Sequence, residues 1–202
     1  MAERTLKGNC REKTRKNFQT VLDVSIRLFN EKGFDETSMS DICRESGLSN
    51  GSVYHMFTGK QDILRRIYER DINVSLGLTS HMEEKLDDPA SVLLDFMLRT
   101  MAQWKKTGPM MIANKSRWST SRTTMGCSPI QREELIQYIS AAQAAGTFNP
   151  RANVPNTVEF LFTLQRGILY GWTIRDDFDF DLHNAVFWPP VIAALAEGTI
   201  SF

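Results

Sequence analysis

Hydrophobic positions along this chain recur at helical spacing almost throughout, and no segment alternates as a half-buried strand would. Between Glu12 and Lys32, Phe18, Val21, Leu22, Leu28 and Phe29 fall on one face with small Ser25 among them. Gly33 stands where that helix should stop. Ser38-Met39-Ser40-Asp41 reads as a capping box with Asp in the usual place of Glu, and Met39, Ile42 and Cys43 form the inward stripe of a short second helix. Gly47-Leu48-Ser49 breaks it. Ser49 can cap a third helix running to about Phe57, with Val53 and Phe57 inward at i and i+4. Thr58-Gly59 ends that helix, and Ile63, Leu64, Ile67 and Tyr68 open a long fourth.

The rest of the pattern is helical too, so the fold class is all-α. Pro89 starts a helix running through Trp104 to Lys106, and Gly108-Pro109 stops it. Met110–Trp118 predicts a shorter helix before a polar loop at 119–124. Ile130, Leu135, Ile136 and Ile139 line an amphipathic helix to Ala145, ended by Gly146. Asn149-Pro150 and Pro155 bracket a connection, Val158–Ile174 is apolar on most faces, and 176–181 is an acidic loop. Leu182–Gly198 is the last predicted helix, and Pro189-Pro190 in its middle should kink or split it.

Composition narrows the function classes. Of 202 residues, 42% are hydrophobic and 24% charged, the balance of an ordinary globular chain. No apolar run reaches the roughly 18 residues of a membrane span, and the polar N-terminus lacks the apolar middle of a signal peptide. A cytoplasmic protein with no membrane partner is expected. Cys10, Cys43 and Cys127 are far apart and form no CxxC pair, so neither a disulfide framework nor a metal site is indicated. Cys43 reads as core, and Cys127 as an idle loop thiol. His55, His81 and His183 are scattered, and no HExxH, GxSxG or Walker-type loop occurs. No catalytic residue, enzyme activity or cofactor is therefore expected.

Net charge is zero, yet its distribution is uneven. Residues 1–70 carry 13 Lys+Arg against 10 Asp+Glu, and residues 1–16 alone carry six basic against two acidic groups. A basic N-terminal piece on an acidic remainder fits nucleic-acid contact at one end, although a solvated tail would have the same composition.

Two short helices joined by a Gly-containing turn, with longer helices before and after, have the layout of a DNA-reading helix-turn-helix. The second short helix must be slim and polar outside to enter a major groove about 12 Å wide. Its outer face carries Ser49, Asn50, Gly51, Ser52 and His55, flanked by Tyr54 and Lys60. A core-packing helical hairpin is the competing reading, and for His55 a solvated side chain competes equally with a DNA contact.

The run from Leu28 to Ser38, then Asp41-Ile42-Cys43, Gly47 to Tyr54, Phe57 and Gly59 to Leu64 resembles the TetR (tetracycline-repressor) family signature in order and spacing. The likeness covers roughly residues 14–65. It implies a three-helix DNA-binding head with an N-terminal arm at 1–65, and a roughly six-helix ligand-binding and dimerising bundle at 66–202. By position, Ser38 and Ser40 would touch the DNA backbone. Ser49, Asn50, Gly51, Ser52, Tyr54 and His55 would face DNA, and Lys60 would hold a phosphate. Met56 departs from the family pattern, which has a phosphate-contacting histidine there; a thioether donates no hydrogen bond.

The bundle is rich in methionine and aromatic residues, which suit an adaptable pocket and equally a plain core. Met97, Met101, Trp104, Met111, Trp118, Phe162, Arg166 and Tyr170 are the candidate lining for a small-molecule effector. Arg117, Gln165 and Arg166 would supply polar selectivity or form a solvated face. Gly167-x-x-x-Gly171 permits a close helix approach, either across a dimer or within the chain. The implied protein is a homodimeric repressor released from its operator by ligand. A DNA-binding regulator with no effector, and a helical enzyme or binder with no DNA role, are the alternatives.

Overall fold

The computed structural model describes residues 2–76, 82, 85–118 and 129–200; side chains are described over the same residues apart from 2–11, 71–76 and 114–118. The expected loop at 119–124, Cys127 and His81 lie outside the described residues, as do the side chains of Cys10, Arg117 and Trp118. Among the described residues every regular element is a helix, in the order α1 (Ala2–Lys32), α2 (Met39–Ser46), α3 (Asn50–Met56), α4 (Lys60–Leu76), α5 (Pro89–Thr107), α6 (Pro109–Trp118), α7 (Pro129–Ala144), α8 (Val154–Ile174) and α9 (Phe180–Glu197). None of those described is long and apolar enough to cross a membrane. The chain divides into two compact units, Met1–Arg70 and Asp71–Phe202.

The first unit closes around Val21, Leu22, Leu28 and Phe29 of α1, Ile42 of α2, Val53 of α3 and Ile63, Leu64 and Ile67 of α4, all at most 3% exposed. Ser25 in this stripe is tolerated because its Oγ donates to the Val21 carbonyl at 2.7 Å. Gly33 (φ 87°) and Gly47 (φ 68°) end α1 and α2 in the left-handed region, where a side chain would be strained. The expected N-terminal arm is instead the first third of α1, which is continuous from Ala2. Ala, Glu, Arg, Lys and Leu, all strong helix formers, make up most of that segment, and the helix runs on through the weaker Thr5, Gly8 and Asn9.

The second unit packs α5, α7, α8 and α9 around a core that includes Leu93, Phe96, Met97, Leu135, Tyr138, Leu161, Phe162, Leu169 and Trp188. Two buried polar groups tie their own neighbourhoods. Trp188 Nε1 donates to Asn184 Oδ1 at 2.9 Å, and Asn184 Nδ2 donates to the Phe180 carbonyl at 2.6 Å. The Tyr138 hydroxyl donates to the Lys85 carbonyl at 2.8 Å; burial, with Asp88 and Asp87 adding negative charge, pushes its phenol up to about 12.

Two proline expectations change. Pro155 lies in the first turn of α8 rather than before it, with Asn153 capping through its side chain; an N–H missing there has no helical partner to lose. Pro189 and Pro190 do not split α9, which remains one helix from Phe180 to Glu197. The carbonyls they leave without helical donors belong to Ala185 and Val186, both exposed to water, while Asn184, Trp188, Ile192 and Leu195 bury the opposite face.

Candidate nucleic-acid interface

α2 begins with a reciprocal cap. Asp41 N–H donates to Ser38 Oγ at 3.1 Å, while Ser38 N–H and Oγ donate to Asp41 Oδ2 at 3.1 and 2.7 Å. These bonds from Ser38, with Arg44 Nη2 on Asp41 Oδ1 at 2.6 Å, hold the Asp41 carboxyl well below the usual carboxylate range. Asp therefore serves where the capping box usually has Glu. Ser40 in the same first turn is exposed.

α3 is held from behind and capped in front. Val53 is fully buried, and the Phe57 ring stacks on Phe18 at 4.7 Å between centroids. Ser49 Oγ accepts from the Ser52 N–H at 3.2 Å and shares a 2.8 Å hydrogen bond with Ser52 Oγ. Ser49, Asn50, Gly51, Ser52, Tyr54 and His55 are all exposed, with Tyr54 presenting 54% of its surface. A Cβ at Gly51 would meet nothing within 4 Å, so this glycine is not required by the chain's own packing and leaves room for close approach from outside. Met56 is half-buried.

Lys60 does something other than the expected phosphate contact. Its Nζ donates to the carbonyls of Phe34, Asp35 and Thr37 at 2.8, 2.9 and 3.0 Å, and sits 4.8 Å from the Phe34 ring centroid. An ammonium has three N–H groups, and all three are used. Lys60 is thus a clamp on the α1–α2 turn.

The effector residues expected from sequence separate in the structure. Met97, Met101, Met111 and Phe162 are at most 1% exposed and Trp104 is 8% exposed, so all five face inward. Tyr170 does not: at 57% exposure it stands on the outer face of α8 and cannot line an interior pocket. Arg166 Nη2 donates to Glu159 Oε1 at 2.7 Å and to Thr163 Oγ1 at 2.6 Å, and Glu159 also pairs with Arg132. A groove of about 630 Å³ runs between α5 and α9 over Leu98, Met101, Ala102, Phe180 and Asn184, with Lys105 and Asp181 paired at its rim. Of the expected residues whose side chains are described, Met101 alone lines it. Gly171 is the seat of an intrachain contact, since a Cβ there would come within 2.7 Å of the Phe178 ring, whereas Gly167 is open.

Gln165 is the residue sequence reasoning left ambiguous. It is fully buried, so it belongs to no solvated face, and neither Oε1 nor Nε2 has a hydrogen-bond partner. The signal was present: Gln165 follows Leu161 by four residues and Phe162 by three, in register with the inward stripe.

A capped, outward-facing short helix on a buried frame, joined by a Gly turn to a capped supporting helix, defines the first unit as a helix-turn-helix head. Residues 21–67 match the model of the bacterial regulatory proteins of the tetR family, so the head is similar to the DNA-binding part of that family. It is 30% identical over 84 residues to the HTH-type transcriptional regulator AcrR of Shigella flexneri, a match covering 41% of this chain and 39% of that protein. It is 28% identical over 95 residues to an HTH-type transcriptional regulator of Staphylococcus aureus, covering 44% of this chain and 50% of that one. The chain thus spans half or less of the length of these curated relatives. Among solved structures, a putative TetR-family transcriptional regulator from Syntrophomonas wolfei has a TM-score of 0.67 at 20% identity, covering 92% of this chain and 97% of that one. SmeT in complex with triclosan has a TM-score of 0.64 at 20% identity, covering 89% and 90%. These likenesses extend the shared all-helical fold over both units.

Proposed function

We propose that this chain is a sequence-specific DNA-binding transcriptional regulator, a homodimeric repressor released from its operator by a small molecule bound in the C-terminal unit. The observation that carries the reading is the α3 face: six small or polar groove-sized residues, all exposed, on a helix anchored by Val53 and Phe57. Asn50 reads a base edge, with adenine the matching partner for its amide, and Tyr54 holds a phosphate. His55 adds a second polar contact. Ser38 and Ser40 lie against the DNA backbone.

Dimerisation is supported by apolar side chains that stand exposed among the described residues. Tyr170 and Ile174 on α8, and Leu182 and Val186 on α9, are each 54–59% exposed and fall in i, i+4 pairs. A two-fold interface covers such a face with its own copy and presents two α3 helices to half-sites about one DNA turn apart, roughly 34–36 Å. Release by ligand is supported by the fold shared with SmeT, which has been solved with triclosan, and by the unpaired polar group inside the C-terminal unit. A ligand that favours one arrangement of the heads shifts the dimer away from the operator-bound one. The protein acts in the cytoplasm, where its operator lies.

The test is selection of bound sequences from random DNA, then fluorescence anisotropy on the selected site against scrambled DNA at fixed salt. Selection of a two-fold symmetric site is the expected result. Equal affinity for scrambled DNA would overturn the sequence-specific reading, and a one-half-site footprint the dimeric one.

A further inference from the structure

The interior of the C-terminal unit is apolar along the inward face of α8. Leu161, Phe162, Ile168 and Leu169, at positions −4, −3, +3 and +4 from Gln165, are at most 5% exposed and belong to the core. In their midst stands the Gln165 carboxamide, fully buried, with Oε1 and Nε2 both unpartnered. Other buried side chains of this unit keep at least one bond: Asn184 is bonded through both amide atoms, Thr157 and Thr100 return their hydroxyls to backbone carbonyls, and Asn149 and Arg166, each with one buried nitrogen unpaired, are bonded through another atom. Leaving a donor and an acceptor together in hydrocarbon is costly, and native cores rarely do it. A single water is a poor remedy, because a buried water needs two to four polar partners and this face of α8 offers one amide.

We infer that Gln165 is a ligand anchor, and that the molecule it receives is predominantly apolar with one uncharged carboxamide or lactam. An amide is the group whose donor and acceptor are spaced like those of Gln165, so the two pair through N–H···O bonds in both directions. A carboxylate has no donor for Oε1, so it would leave half of the Gln165 amide unpaired in the core. This rests on the reading of the C-terminal unit as the ligand-binding one, and it names the chemistry of that ligand.

The experiment compares octanamide with methyl octanoate, which matches the chain length but only accepts, by isothermal titration calorimetry on the full-length protein. Wild type should bind octanamide about tenfold more tightly than the ester, the worth of one satisfied buried hydrogen bond. Gln165→Leu should shrink that preference to within about twofold, and Gln165→Met should behave alike with an unbranched side chain. Both variants should also melt above wild type without ligand, because they remove an unsatisfied amide. Equal binding of amide and ester by wild type, no binding of octanamide at its solubility limit, or a lowered melting temperature in both variants would overturn the assignment. Anisotropy on the selected operator is run in parallel: both variants should bind DNA like wild type. Loss of DNA binding by wild type would sink the regulator reading, while the calorimetric outcome would judge Gln165 separately.

Discussion

Replacing Lys60 with Met separates two roles that one lysine at the start of α4 can play. Methionine keeps an unbranched apolar stem and removes the ammonium, so three N–H···O bonds at 2.8–3.0 Å and the contact with the Phe34 ring disappear together. A hydrogen bond from a charged donor contributes about 1.5–3 kcal/mol net. The three share one ammonium and end on carbonyls that water can partly reach, so they do not sum; the cation–π contact adds about 0.5–1 kcal/mol. A total loss of about 2–3 kcal/mol follows. For a chain of this size that lowers the melting temperature by about 4–10 °C. At 20 °C a domain with an ordinary stability of about 5–15 kcal/mol remains folded. Operator affinity should then fall little, and the slope of log affinity against log salt should not change. Thermal melts by circular dichroism and anisotropy titrations at four or five salt concentrations read both quantities. An unchanged melting temperature with a slope flattened by about 0.9 per half-site would mean that Lys60 neutralises a phosphate, and the clamp would be refuted.

Asn50→Ala should leave the melting temperature within about 1 °C and cost about 1–3 kcal/mol of discrimination at one base pair per half-site, read by anisotropy on single-base operator variants. Ser49→Ala removes the α3 cap and should destabilise the head by about 1 kcal/mol, measured by urea unfolding; equal midpoints would argue against the capping bond. Asp41 titrates below its ordinary 3.8 in the folded head, so its contribution is full above that value and is lost as pH falls below it toward the folded value. Asp41→Asn should therefore lower stability at pH 7 and flatten its acid limb between pH 5 and about 2, against a steeper wild-type limb in the same melts. Val186→Glu, among these exposed apolar side chains of α8 and α9, should yield monomers by sedimentation velocity and weaken operator binding at least tenfold. A Val186→Glu protein that sediments like wild type places the dimer contact elsewhere.

The head was legible because its punctuation is local. Ser38, Gly33, Gly47 and Ser49 each act within four residues of their own position, and Phe57 and Val53 follow a plain helical stripe. The roles that escaped depend on distance in sequence. Lys60 binds carbonyls 23–26 residues upstream, and nothing in a lysine after a glycine announces that geometry. Tyr170 and Phe162 both lie on an apolar helix, and composition alone did not say that one faces out and the other in. The prolines of α8 and α9 were read by their usual effect on helix interiors. The structure shows the exceptions: one sits in a first turn, and two lie a turn beyond Ala185 and Val186 on the outward side of α9. Gln165 is the intermediate case: its spacing from Leu161 and Phe162 fits the inward stripe, but its polarity left it open between a pocket and a solvated face.

The absence of arginine and lysine from the α3 face also bears on the entropy of docking. An arginine or lysine frozen against DNA gives up as much as about 2 kcal/mol of rotamer freedom, and serine, glycine and asparagine give up far less. Ser49 and Ser52 are already fixed to each other before any partner arrives. The reading surface therefore meets DNA close to its final shape. What it lacks in reach it recovers in pre-ordering, and contrast between sites should come from how closely the backbone can settle rather than from how many contacts it makes.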